Sequence, residues 1–199
     1  WFGNGDEGYI PATGYTVNDG LWHHIIVTYS KSDGLGHIYV DGVNATQNND
    51  YFVNTADNSE DKIYLGIPNH KASNAPNYFD GSIKEVVIWN TRIGEDDISK
   101  LFGDGHGAAA NALITLSGQT WEQGYWKLNE GIGEIVVDKS NKKNNGTIYG
   151  AKWIDGVSSF NTNGIKAITF NVELPTHSLP DTNISLGFWK SGAENHECM

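Results

Sequence analysis

Between residues 168 and 174 apolar and polar side chains alternate without a break. Ile168, Phe170, Val172 and Leu174 fall on one face, and Thr169, Asn171 and Glu173 on the other. A period of two is the mark of a strand with one buried face. Residues 183–189 repeat the pattern through Ile184, Leu186 and Phe188. Upstream, HHIIVTYS at 23–30 and HIYVDG at 37–42 are joined by a Ser-Asp-Gly-Leu-Gly connection, which predicts a hairpin. Asp41-Gly42 turns the chain again. KIYLGI at 62–67 and SIKEVVIWN at 82–90 are two more strands. Short strands separated by Gly, Asn and Asp turns predict an all-β sandwich.

One segment follows a different period. GEDDISKLF at 94–102 carries acids in its first turn, Ile98, Leu101 and Phe102 on one face, Lys100 near its end and Gly103 just beyond. That arrangement predicts one short amphipathic helix. Residues 103–121 are Gly/Ala-rich and then briefly apolar, and read as a connector. From GYWKLNEG onward the strand pattern resumes, interrupted by a Lys/Asn-rich loop at 139–145.

Two blocks, taken in order and spacing, resemble the laminin-G-like, concanavalin A-type jelly-roll family. The first runs GLWHHIIVTYS, HIYVDGVNAT, KIYLGI and FDGSIKEVVIWNTRIGEDDISKLF, and is similar to the second half of such a domain. The second, GYWKLNEGIGEIVVDKSNKKNNGTIYGAKWIDG and the strands ending in FWK, is similar to the first half. The implied organisation is residues 1–106 as a C-terminal half, 107–121 as connector and 122–199 as an N-terminal half. The halves stand in reversed order. A circular permutant, a slice across two tandem domains, and a subunit completed by its neighbour all fit that order. Half a sandwich exposes an apolar face and open strand edges, so an ordered chain requires completion, within itself or by another copy.

Composition narrows the functional classes. The 199 residues carry 13 basic and 24 acidic side chains, a net charge of −11, which opposes nucleic-acid binding and suits a cation such as Ca²⁺. No apolar stretch is long enough to span a bilayer. The chain starts at Trp1 without a signal peptide, and reads as a processed product or fragment. Cys198 is the single cysteine, so no internal disulfide forms. Sequons at Asn44, Asn145 and Asn183 permit secretion, and the resemblance implies a secreted or cell-surface module.

The candidate chemistry is that of binding. Glycosidases on this fold use two closely spaced carboxylates, and no Glu-x-Asp-x-Glu occurs here. No Gly-x-Ser-x-Gly elbow, P-loop or dinucleotide fingerprint is present, so the chain is expected to be non-enzymatic. Consecutive His23 and His24 point to opposite faces of a strand and read as packing residues rather than metal ligands. By the resemblance, Asp80 and Asp138 are the candidate Ca²⁺ ligands. Lys84 stands where many members carry Asp, and would repel the ion. The alternative role for both acids is to cap turns through the backbone. Trp22, Trp126, Phe170, Phe188 and Trp189 are expected in the core or between sheets. Loop aromatics Tyr51, Phe52 and Tyr78, with Asn74 and Asn77, are the candidate ligand contacts, since rings stack on sugars and amides bond hydroxyls. The expected partner is a glycan or an extracellular protein, or a second copy through exchange of half-domains.

Overall fold

A computed structural model describes residues 14–30, 32–46, 63–66, 79, 81–103, 122–153, 168–170 and 183–192. For 63, 64, 122, 123, 168–170 and 183–192 the description is of backbone alone.

The described strands are β1 (Trp22–Ser30), β2 (Leu35–Val40), β3 (Val43–Asn44), β4 (Ile63–Leu65), β5 (Gly81–Trp89), β6 (Glu122–Trp126), β7 (Ile135–Val136), β8 (Gly146–Ile148), β9 (Ile168–Phe170) and β10 (Asn183–Gly192). The helix α1 spans Glu95–Phe102. Six strands form one antiparallel sheet in the order β3-β2-β1-β10-β5-β6, and four form another in the order β4-β9-β8-β7. Each sheet mixes strands from before and after the 104–121 segment. β10 is the central case, pairing antiparallel with β1 on one side and β5 on the other.

Alternation sorts the side chains into layers. Between the sheets lie Leu65, Ile83, Val86, Ile88, Trp126, Val136 and Ile148, with Val27, Ile38 and Val40 continuing the inner face toward β2. The opposite face of the six-stranded sheet offers Ile26, Tyr39, Val87, Trp89 and Tyr125 to Ile98 and Leu101 of α1. The helix is thus a third layer, held by its apolar stripe. Its acids Glu95, Asp96 and Asp97 sit at the positive end of the helix dipole, and Lys100 bonds Asp97 at 3.1 Å.

Two local features set these faces. Glu85 has φ 53°, and the β5–β10 register slips between Gly187 and Trp189. This bulge brings Val86 and Ile88 inward with Ile83, and leaves Val87 and Trp89 toward the helix. Gly124 lies directly beneath the fully buried Trp126 ring, which occupies the space a Cβ would need.

The expected core holds for Trp126 but not for Trp22. Trp22 faces outward beyond the end of α1, half-buried, with the Lys84 ammonium 4.6 Å from its ring centroid. Lys84 therefore engages an aromatic face across the sheet. Phe170, Phe188 and Trp189 lie outside the described side chains.

Candidate functional site

Beside β6 the chain returns in a loop that one carboxylate organises. Asp138 is fully buried and bridges Trp126 in the antiparallel sense. Its Oδ1 accepts the amides of Tyr125 (2.9 Å) and Ser140 (2.8 Å). Its Oδ2 accepts the Ser140 hydroxyl (2.8 Å) and the Asn144 amide (2.8 Å). The Asp138 amide in turn donates to Asn145 Oδ1 at 3.0 Å, and Trp126 Nε1 donates to the Asn144 carbonyl at 2.8 Å. Both ends of the turn are thereby tied to the β6 edge, a built loop on a rigid sheet.

What this loop displays is polar and cationic. Lys139, Asn141, Lys142 and Lys143 are exposed, with Lys143 in the left-handed region at φ 60°. Ile135 pairs with Thr147, so Tyr149, two residues further, shares their outer face of the four-stranded sheet. Ile135 is 51% exposed and Tyr149 60%, enough ring and aliphatic surface to meet a ligand. The loop offers ammonium and amide donors, and the outer face of the four-stranded sheet separately offers the Tyr149 ring, the kinds of group that hold hydroxyl-bearing or anionic ligands.

Of the residues singled out from the sequence, Asp138 is at the heart of this loop. Four donors converge on its carboxylate, which caps the turn. Tyr51, Phe52, Asn74, Asn77, Tyr78 and Asp80 lie outside the described residues. Among the described residues no group of three His, Cys, Asp or Glu side chains is arranged to hold a metal ion. Phe79 packs against the inter-sheet core and its amide donates to the Gly66 carbonyl at 2.8 Å. That bond joins the two ends of 67–78 where the chain leaves β4 of one sheet and enters β5 of the other.

Two charged clusters escape a reading of the sequence in single motifs. His23 lies between two carboxylates: its Nε2 is 2.9 Å from Asp19 Oδ1 and its Nδ1 2.8 Å from Asp41 Oδ2. His24 points to the other face, stacked on Phe102 with centroids 6.2 Å apart. Burial depresses His24 to about 4, against a smaller upward pull from Asp41. On the helix side, Arg92 donates to Asp33 Oδ2 (3.0 Å) and His37 Nδ1 (3.2 Å), and Tyr39 donates to Glu95 (3.2 Å). Burial, then the Glu95 charge, push Tyr39 up to about 12. These bonds pin the β1–β2 hairpin to the start of α1. The i, i+4 spacing of Asp19 and His23 and the Asp41-Gly42 turn are the sequence signals of the first cluster; only the fold brings them together.

Residues 1–99 match a laminin-G-type family model described as the concanavalin A-like lectin/glucanases superfamily. Two similar relatives are the rat and mouse forms of "Sushi, von Willebrand factor type A, EGF and pentraxin domain-containing protein 1". The rat protein is 28% identical over 89 residues, 43% of this chain. The mouse protein is 30% identical over 78 residues, 38% of this chain. The matched region is 2% of either relative's length, so the chain spans a small part of those proteins. No solved structure gives a significant match. No helix of the described residues is long and apolar enough to cross a membrane. The two antiparallel sheets and helix α1 of the described residues agree with the family match: over residues 1–99 this chain belongs to the concanavalin A-like lectin/glucanase superfamily.

Proposed function

We propose that the chain is a non-catalytic, extracellular binding module that recognises carbohydrate or another surface ligand through its loops. The observation that carries this reading is the loop at 137–145, fixed by the buried Asp138 and presenting the exposed Asn141, Lys142 and Lys143. A fixed loop loses little conformational freedom on binding, which is how a rigid scaffold gains affinity. The relatives' multidomain names, which join sushi, EGF and pentraxin units, support a modular context of the same kind. Tyr51, Phe52, Asn74, Asn77 and Tyr78 remain the proposed contacts of the 47–62 and 67–78 segments. Asp80, immediately before β5, and Asp138 are the proposed positions for calcium, Asp80 the stronger because the Asp138 carboxylate is engaged in four hydrogen bonds. A glycan array probed with and without EDTA tests the reading. Binding that weakens in Tyr149→Ala or Tyr78→Ala supports it, and EDTA sensitivity assigns calcium a part. A blank array, with no protein ligand at the cell surface, overturns it.

A second reading makes the chain a structural subunit completed in trans. It rests on β10, which belongs to the later half of the sequence yet fills the space between β1 and β5. The same strand from a neighbour would fit the same gap. Light scattering over a wide concentration range separates the two. A monomer of 21.8 kDa throughout favours closure within the chain, and concentration-dependent oligomers favour exchange.

A further inference from the structure

We propose that His23 is an acid-closed latch: as imidazolium it ties the 18–21 turn to β1, and loss of one ring proton releases that turn. Hydrogen-bond capacity sets the protonation state that this geometry needs. Both ring nitrogens lie within 2.9 Å of a carboxylate oxygen, Nε2 of Asp19 and Nδ1 of Asp41. A carboxylate only accepts, so each contact needs an N–H, and only the doubly protonated ring has two. In the neutral ring one nitrogen turns a lone pair toward a carboxylate, and that contact becomes repulsive.

The fold decides which contact is given up. Asp41 is held by its surroundings: its Oδ1 accepts the His24 amide at 2.8 Å, and its own amide donates to the His24 carbonyl at 2.8 Å. It sits in a tight turn, with Asp41 at φ 50° and Gly42 at φ 78°, and Gly42 abuts Phe102 of α1. Asp19 has only local company, accepting the Leu21 amide at 2.9 Å, whereas Val17 before it packs against the Val27, Ile38, Val40 and Ala45 cluster, so only the 18–21 turn depends on His23. The neutral ring therefore keeps Nδ1–H on Asp41 and drops Asp19. The charged groups facing the imidazole are Asp19 from the 18–21 turn and Asp41 from the β2–β3 turn; in the β1–β10 register Lys190 stands opposite His23.

The direction of titration agrees. Burial pulls His23 down, but the bonds to Asp41 and Asp19 and their charges outweigh it, and the net displacement is upward from 6.5. A raised folded value means the latch holds fully below about 6.5 and is lost as pH rises through the higher folded value. Among unperturbed side chains only histidines titrate in that window, so the NMR assignment of His23 distinguishes it from the others. Leu21, 62% exposed, rides on the turn that is freed.

The experiment is a nitrogen-15 and ring-proton NMR titration of the full chain from about pH 5 to about pH 9, the range a histidine spans. The expected result is a His23 midpoint above 6.5, with the Leu21 amide shifting at the same midpoint while the His24 and Gly42 amides stay put. Asp19→Asn, a substitution at the surface that leaves the core intact, lowers the His23 midpoint and uncouples Leu21. A His23 midpoint at or below 6.5 overturns the proposal. So does a Leu21 amide that ignores it, or one that still follows it in Asp19→Asn.

Discussion

Asp138→Ala removes the acceptor of four hydrogen bonds at once: the Tyr125, Ser140 and Asn144 amides and the Ser140 hydroxyl. A buried donor left without its charged acceptor costs about 1.5–3 kcal/mol. The four do not simply add. Asn144 is half-buried and recovers water when the loop slackens, whereas the Tyr125 amide and Ser140 are buried and do not. The net loss is therefore about 3–5 kcal/mol, a large part of the roughly 5–15 kcal/mol that holds a domain together. Asp138→Asn keeps the shape and one acceptor oxygen, lets its amide donate to Ser140 Oγ, and opposes only the Asn144 amide. It costs about 1–2 kcal/mol, the scale of one misplaced donor. Urea unfolding followed by tryptophan fluorescence measures both, and the Trp126 bond to the Asn144 carbonyl makes that ring a reporter of the loop. An alanine variant that loses less than about 1 kcal/mol, or an asparagine variant that loses as much as alanine, would refute the role of the Asp138 carboxylate as the hub of the loop.

The paired histidines predict a second pH dependence, opposite in sign to the latch. His24 is depressed to about 4 by burial, so it contributes stability above about 6.5 that is lost as pH falls toward 4. The full loss is roughly 3 kcal/mol at about 1.4 kcal/mol per pH unit, and His24→Phe flattens the acid limb of a stability–pH curve. Gly124→Ala drives a methyl into the Trp126 ring, which has no free space to move, and lowers the melting temperature by an amount equivalent to about 2–4 kcal/mol. Leu101→Ala, which empties the contact between α1 and the sheet, costs about 2–4 kcal/mol in the same assay. A smaller loss there would mean the helix is not held by its apolar stripe.

The sequence by itself determined the local elements. Alternation at 168–174 and 183–189 marks strands because a half-buried sheet sorts side chains with a period of two, and apolar runs between turn residues mark those at 23–30, 37–42, 62–67 and 82–90. The acids, the Ile98/Leu101 stripe and Gly103 mark α1 because a helix needs those groups at those places. The opposite orientation of His23 and His24 follows from the same alternation. What alternation cannot show is which strands meet. Only the tertiary structure put β10 between β1 and β5, because hydrogen-bond ladders join segments over any separation in sequence. It decided the bulge at Glu85, which shifts the faces of β5 by one residue without a Gly or Pro to announce it. It turned Trp22 outward onto Lys84, since helix coverage, not hydrophobicity, decides which face of a two-sided sheet is buried. Asp138 was visible as an acid in a loop. Whether its carboxylate binds backbone or cation depends on how many amides the folded loop turns toward it, and that number belongs to the fold.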